Sequence, residues 1–283
     1  MKNLSIDGTK LNFIEINPDK PQTLLFIHGN SHSLETFSKQ INSDLFKDYR
    51  LICVDLPGHG DSSKNGNYSL KNFAHIMNQF IQVLELNETI IVGHSMGGHV
   101  AINLLRYYTP SGLFLFGTPP LKNPFDPNAF LVNANSKALV QNESTLIEIE
   151  TLMAEMNYNG EDMARGIVDY LRTDKSLRTE IFSDIINGVN ENEVALIKSF
   201  QGPVIFLLAT SDGLINNEYI LNEFQTTENL TLVEMPAGHS AHIEAGELFN
   251  ELLADFSKNV FMKYKKTNYH IGLKPESTYE QRD

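Results

Sequence analysis

Gly93-His94-Ser95-Met96-Gly97-Gly98 sets a hydroxyl among small residues, directly after the apolar run Ile90-Ile91-Val92. Gly-x-Ser-x-Gly between a strand and a helix describes a tight turn that lifts the serine oxygen clear of the sheet. A side chain at 93 or 97 would collide with that turn. The first amides of the following helix would then point at whatever the serine attacks. Serine is a poor nucleophile at neutral pH and needs a base. A histidine oriented by a carboxylate completes such a set. Two later strand ends supply both groups. Leu207-Leu208-Ala209-Thr210-Ser211-Asp212-Gly213 puts Asp212 just past one apolar run, and Pro236-Ala237-Gly238-His239 puts His239 just past the next. The order Ser95, Asp212, His239 is the one expected of a nucleophile on this kind of turn.

Rival residues are present. His242 is an alternative base, three residues beyond His239. His94 and His99 flank the serine turn and are read as structural hydrogen-bonding groups. His28 and His59 sit beside glycines after strands and are read as loop braces. Asp55 also ends a strand but precedes the serine, so it is read as a loop-shaping residue; Glu244 is a rival to Asp212. Acyl transfer also needs donors for the developing oxyanion, each worth about 10²–10³ in rate. The backbone N–H of Met96 is one candidate. The other is the Asn30 N–H in the loop His28-Gly29-Asn30-Ser31-His32-Ser33, with its side-chain amide available to substrate.

The elements that must hold these residues can be read from the apolar pattern. Lys2 to Ile6 and Lys10 to Glu15 alternate about Asp7-Gly8, which predicts a hairpin. Short apolar runs without alternation then recur at 24–27, 51–54, 90–92, 113–116 and 204–208, as expected of strands covered on both faces. Phe73, Ile76, Met77, Phe80, Ile81 and Leu84 keep helical spacing between two of them. Strand alternating with helix implies a mostly parallel α/β sheet, whose ligands bind beyond the carboxyl ends of the strands. The alternation lapses over about 118–201, which reads as a helical insertion. The predicted division is a core of residues 1–118 and 202–257, a helical insertion over 119–201, a terminal helix over 246–257, and a polar tail over 258–283.

The 283 residues carry a formal charge of −13, 41% hydrophobic residues and the single cysteine Cys53. The apolar fraction argues against disorder, one cysteine excludes an internal disulfide framework, and the negative charge disfavours nucleic acid. No run approaches the roughly 20 apolar residues of a membrane span, and the first residues lack a secretory apolar stretch. A cytoplasmic protein without membrane insertion is expected.

Taken together, His28–Ser33 (HGNSHS), Asp55–Ser62 (DLPGHGDS), Gly93–Gly98 (GHSMGG), Asp212 and Ala237–His239 resemble the α/β-hydrolase superfamily over nearly the whole chain. Ala209 stands where many relatives have glycine, and Gly246 where many have proline. The resemblance implies that the insertion is a cap domain and that Ser95, His239 and Asp212 form a triad working through an acyl-enzyme. Serine at the turn separates the chain from the dehalogenases and epoxide hydrolases, which carry aspartate there. HGNS, Phe116-Gly117-Thr118-Pro119-Pro120 and Arg172-Thr173-Asp174 are similar to the N-acyl-homoserine-lactone hydrolases. The histidine-rich H-x-H-x-D-H motif of metal-dependent lactonases is absent, so a lactonase reading is metal-independent, with no cofactor. The expected partner is a small ester or lactone with an apolar acyl group, held by Tyr158, Phe125 and Met153 of the cap; the same side chains would serve equally to pack the cap onto the sheet. The alternatives are a general carboxylesterase, an amidase or iminopeptidase, or a non-catalytic ligand receptor.

Overall fold

The computed structural model describes residues 1–130 and 134–271. Among the described residues eight strands form one sheet: β1 (Lys2–Ile6), β2 (Thr9–Ile16), β3 (Gln22–Ile27), β4 (Arg50–Val54), β5 (Glu88–His94), β6 (Gly112–Phe116), β7 (Val204–Ala209) and β8 (Leu230–Met235). The helices are α1 (Ser38–Ile41), α2 (Leu70–Val83), α3 (Met96–Leu104), α4 (Leu146–Glu155), α5 (Gly160–Arg172), α6 (Lys175–Ile186), α7 (Glu193–Ser199), α8 (Asn217–Phe224), α9 (Ala241–Glu244) and α10 (Gly246–Ile271). The strand order is β1-β2-β4-β3-β5-β6-β7-β8. β1 and β2 pair antiparallel, β2 joins β4 antiparallel, and every later pairing is parallel. The opening hairpin turns on Asp7 and Gly8, both at positive φ (46° and 79°), the geometry that matches the twist of paired strands.

The apolar runs do not alternate because both faces of the sheet are covered. Leu25, Ile27, Ile52, Val54 and Ile91 belong to one core together with Phe73, Met77 and Phe80 of α2 and Val100 and Leu104 of α3. Their strand neighbours Leu24, Phe26, Leu51, Cys53 and Ile90 belong to the other, against Phe37 and the α10 residues Phe249 and Leu253. Successive side chains point to opposite faces, so each residue of a central strand is buried on one side or the other.

Between β6 and β7 the described residues form α4 to α7 and short 3₁₀ turns, and Phe130 of this stretch makes an isolated bridge to Ile215, beyond β7. The terminal helix differs from expectation. The sequence predicts an end at Ser257 before a polar tail, yet α10 continues to Ile271. Phe249, Leu253, Phe256 and Val260 extend one apolar stripe, and Phe261 packs on Tyr49 with ring centroids 5.6 Å apart. Lysine is a good helix former, so a Lys-rich run with no glycine or proline prolongs a helix. The rest of the predicted tail, 272–283, lies outside the described residues. No helix among the described residues is long and apolar enough to cross a membrane.

Candidate active site

β3, β5, β7 and β8 all end at the same edge of the sheet, and the candidate residues lie just beyond those ends. Only Ser95 separates β5 from α3. It adopts φ 50°, ψ −120°, a conformation that costs a non-glycine residue about 1–3 kcal/mol and persists only when its surroundings enforce it. The enforcement is visible. Its N–H donates to Phe116 O of β6 (2.9 Å), and its carbonyl accepts from Gly98 N–H and the Thr118 hydroxyl, both at 2.9 Å. A Cβ on Gly97 would stand 2.2 Å from Ile27 O, and one on Gly93 would stand 2.6 Å from Gly98 Cα. These glycines let α3 start hard against β3.

Asp212 and His239 form a buried pair. Asp212 Oδ1 accepts from the Leu214 and Ile215 N–H groups (2.9 and 3.2 Å), while Oδ2 lies 2.8 Å from His239 Nδ1. A carboxylate only accepts, so Nδ1 is the donor of this pair, and in the neutral ring the lone pair lies on Nε2. His239 and Ser95 line the same cavity, of about 270 Å³. Met96 and Asn30 line it too. Met96 is the first residue of α3, so its N–H has no carbonyl one turn behind it.

The rival residues sit elsewhere or carry other duties. His242 is fully buried with both ring nitrogens unpartnered among the described residues, between Phe37 and Phe116 at 5.1 Å each; burial drives its pKa well down. His94 lies stacked on Phe116 and donates to the His239 carbonyl (3.0 Å). His28 Nε2 accepts from Leu56 N–H, and His59 Nε2 accepts from Ser31 N–H, so both brace loops. Asp55 accepts from Leu34 N–H, Asp61 N–H and the Asn12 amide, and thereby shapes its loop. Glu244 accepts from Gly238 N–H (2.6 Å) just ahead of His239.

The cavity wall facing the sheet differs from the one expected. Arg178, Ile181, Phe182 and Ile185 of α6 line it, at the spacing of one helix face. Tyr158, Phe125 and Met153 do not. The Tyr158 hydroxyl hydrogen-bonds His32 Nε2 (3.0 Å), a ring whose pKa burial, with His28 and His239 nearby, lowers to about 3. Tyr158 and Met153 close around Gly166, where a Cβ would be 2.5 Å from the Met153 sulfur. Phe125 lies in a separate groove with Lys122, Pro127 and Val194. The reason is packing: α4 lies against α5, and Tyr158 and the α5 residue Asp169 are taken up by His32 and Ser33, which leaves α6 to cover Ser95. Helical spacing over Arg178–Ile185 is the available signal, and nothing in the sequence ranks α6 above α4.

The insertion grips the 28–33 loop residue by residue. Asn30 donates its amide to Leu139 O (3.1 Å), Arg178 donates to the Ser31 hydroxyl (3.0 Å), Tyr158 meets His32, and the Ser33 hydroxyl donates to Asp169 (2.7 Å). Ser31 also donates to Asn30 Oδ1 (3.0 Å) and sits at φ 59°. The Asn30 amide is thus engaged with the protein itself. Arg178 is buried, stacks on Tyr170 at 4.0 Å, and has no carboxylate within ion-pair distance among the described residues; burial lowers its pKa.

A strained serine at a strand–helix junction, a histidine–carboxylate pair beside it and an insertion over the strand ends define a class of hydrolases. The profile of the alpha/beta hydrolase fold family matches residues 22–246, and the chain belongs to that family and is a hydrolase. It is similar to an uncharacterized hydrolase, YugF, of Bacillus subtilis, at 30% identity over 91% of this chain and 98% of that protein. It is also similar to mouse monoacylglycerol lipase ABHD6, at 24% identity over 86% of this chain and 77% of that protein. Among solved structures, N-acyl homoserine lactonase AidH complexed with N-butanoyl homoserine superposes with a TM-score of 0.81 at 24% identity, covering 92% and 96% of the two chains. The esterase EaEST from Exiguobacterium antarcticum gives 0.75 at 20% identity, covering 89% and 97%.

Proposed function

We propose that the protein cleaves carboxylic esters or lactones through a Ser95–His239–Asp212 triad, with N-acyl-homoserine lactones as the leading substrate class. One observation carries this reading: Ser95 and His239 face a single, largely apolar cavity while Asp212 holds His239 by Nδ1. Ser95 Oγ attacks the carbonyl and His239 Nε2 takes its proton. The N–H groups of Met96 and Asn30 hold the oxyanion. His239 returns the proton to the leaving oxygen, and the C–O bond breaks to give an acyl-enzyme. Water, deprotonated by His239, then attacks the ester and frees Ser95. In a lactone the leaving alcohol remains tethered to the acyl group, so one hydroxy acid is the sole product.

In this reading residues 119–201 act as a cap over a core of 1–118 and 202–257. The cavity volume of about 270 Å³ lies close to the usual ligand-pocket range of about 300–1,000 Å³. The apolar lining suits plain acyl esters as well, which favours general carboxylesterase activity as the second reading. Mass-spectrometric turnover of N-acyl-homoserine lactones beside p-nitrophenyl esters of equal acyl length decides between them. Preferred lactone opening is the expected result; ester turnover with intact lactones would remove the lactonase assignment and keep the esterase.

A further inference from the structure

The cavity wall holds a second imidazole–carboxylate pair. His99 lies one turn along α3 from Ser95, with its N–H 3.3 Å from Ser95 O, and its side chain lines the cavity. His99 Nδ1 donates to Glu193 Oε2 (2.7 Å). Glu193, fully buried at the start of α7, also accepts from Leu121 N–H (2.9 Å) and the Asn103 amide (2.7 Å). Three donors converge on that carboxylate, so the ring is fixed in orientation and Nδ1 carries its proton. His99 Nε2 has no hydrogen-bond partner among the described residues, although the residue is only 5% exposed. Holding the insertion against α3 would need Nδ1 alone. Nε2 is not among the buried atoms that lack a partner, so it is open to water, and a substrate donor entering the cavity can take that place.

We propose that His99 is a substrate-recognition residue whose Nε2 accepts a hydrogen bond from an N–H or O–H group near the reacting carbonyl. The ligand class is acyl compounds carrying such a donor, an amide N–H above all, in preference to plain fatty esters. The inference rests on Ser95 being the nucleophile, and it selects among the substrates of that same cavity. It applies equally to open-chain esters and lactones.

The test uses the full chain and two p-nitrophenyl esters of matched shape. The N-butanoylglycinate carries an N–H where the 4-oxoheptanoate carries a CH₂. The readout is the ratio of their kcat/KM values, compared between wild type and variants, so the intrinsic reactivity of each ester cancels. His99→Asn keeps a donor toward Glu193 and deletes Nε2; His99→Leu deletes both, and a thermal melt reports the fold of each. Loss of one hydrogen bond should lower the ratio by about tenfold. An unchanged ratio in the folded Asn variant, whether or not both rates fall together, overturns the proposal. Inactivity of the wild type on both esters, with no labelling of Ser95 by a fluorophosphonate, would instead overturn the nucleophile assignment beneath it.

Discussion

Replacing Asp212 with Asn tests how the histidine is held, because the carboxylate meets donors on every side. Oδ2 faces His239 Nδ1 at 2.8 Å, and Oδ1 faces the Leu214 and Ile215 N–H groups at 2.9 and 3.2 Å. An amide has one accepting oxygen, so its NH₂ must oppose a donor in either orientation. If the oxygen stays with the two backbone N–H groups, the NH₂ points at Nδ1 and drives the imidazole into its other tautomer. Nε2 then carries a hydrogen toward Ser95 and cannot take the serine proton. If the amide turns the other way, its NH₂ abuts two N–H groups and the turn after β7 is disrupted. The first arrangement costs less, so the fold should survive while the base is lost. A loss of about 10⁴-fold in kcat is expected for a wrongly tautomerised triad histidine, or about 5.5 kcal/mol of transition-state stabilisation. Steady-state hydrolysis of a p-nitrophenyl ester, beside circular dichroism of the same sample, measures both. A folded Asp212→Asn protein retaining activity within tenfold of wild type would refute the reasoning.

Arg178→Met should lower kcat about tenfold or more with a smaller change in KM. The Ser31 hydroxyl loses its donor, and the Asn30–Ser31 turn can relax from its positive-φ conformation. The melting temperature should move by only about 4 °C, because removing a buried charge offsets the lost hydrogen bonds; an unchanged kcat would show that the loop holds itself. Asp169 is pushed up to about 6, mainly by burial, against lowering contributions from the Ser33 hydroxyl and Arg172. The folded state therefore binds this proton more tightly than the unfolded chain. Its stabilising contribution is full below about pH 4 and is lost as pH rises through about 6. Urea melts of wild type and Asp169→Asn at pH 4 and 7 should show the variant gaining up to about 3 kcal/mol relative to wild type at the higher pH; a pH-independent difference would contradict the shift.

Much of the fold is legible in the sequence because its determinants are local. Asp7-Gly8 marks the hairpin, the doubly covered strands read as unbroken apolar runs, and Gly93 is required by a clash within the turn itself, whereas Gly97 is required by the distant β3 backbone at Ile27. Asp212 and His239 are legible because each stands just past the carboxyl end of a strand, where a parallel sheet places its ligands. The hidden features depend on partners distant in sequence. Tyr158 reads as a pocket residue until His32, 126 positions away, is seen to take its hydroxyl. His99 reads as a structural histidine, and its Nδ1 does serve that purpose. Only its place in the cavity wall, with Glu193 94 positions away, exposes the second nitrogen. The face of α6 over Ser95 is an ordinary amphipathic stripe whose target no spacing rule names. α10 runs on through a lysine-rich stretch because charge alone does not end a helix.

The central claim is that Ser95 is the residue acylated during turnover. Fluorophosphonate labelling of the full chain, with peptide mapping of the product, tests it most directly. The expected result is one adduct per chain on the peptide containing Ser95, absent from Ser95→Ala and strongly slowed in His239→Ala. An adduct on another residue, or ester hydrolysis undiminished in Ser95→Ala, would contradict it.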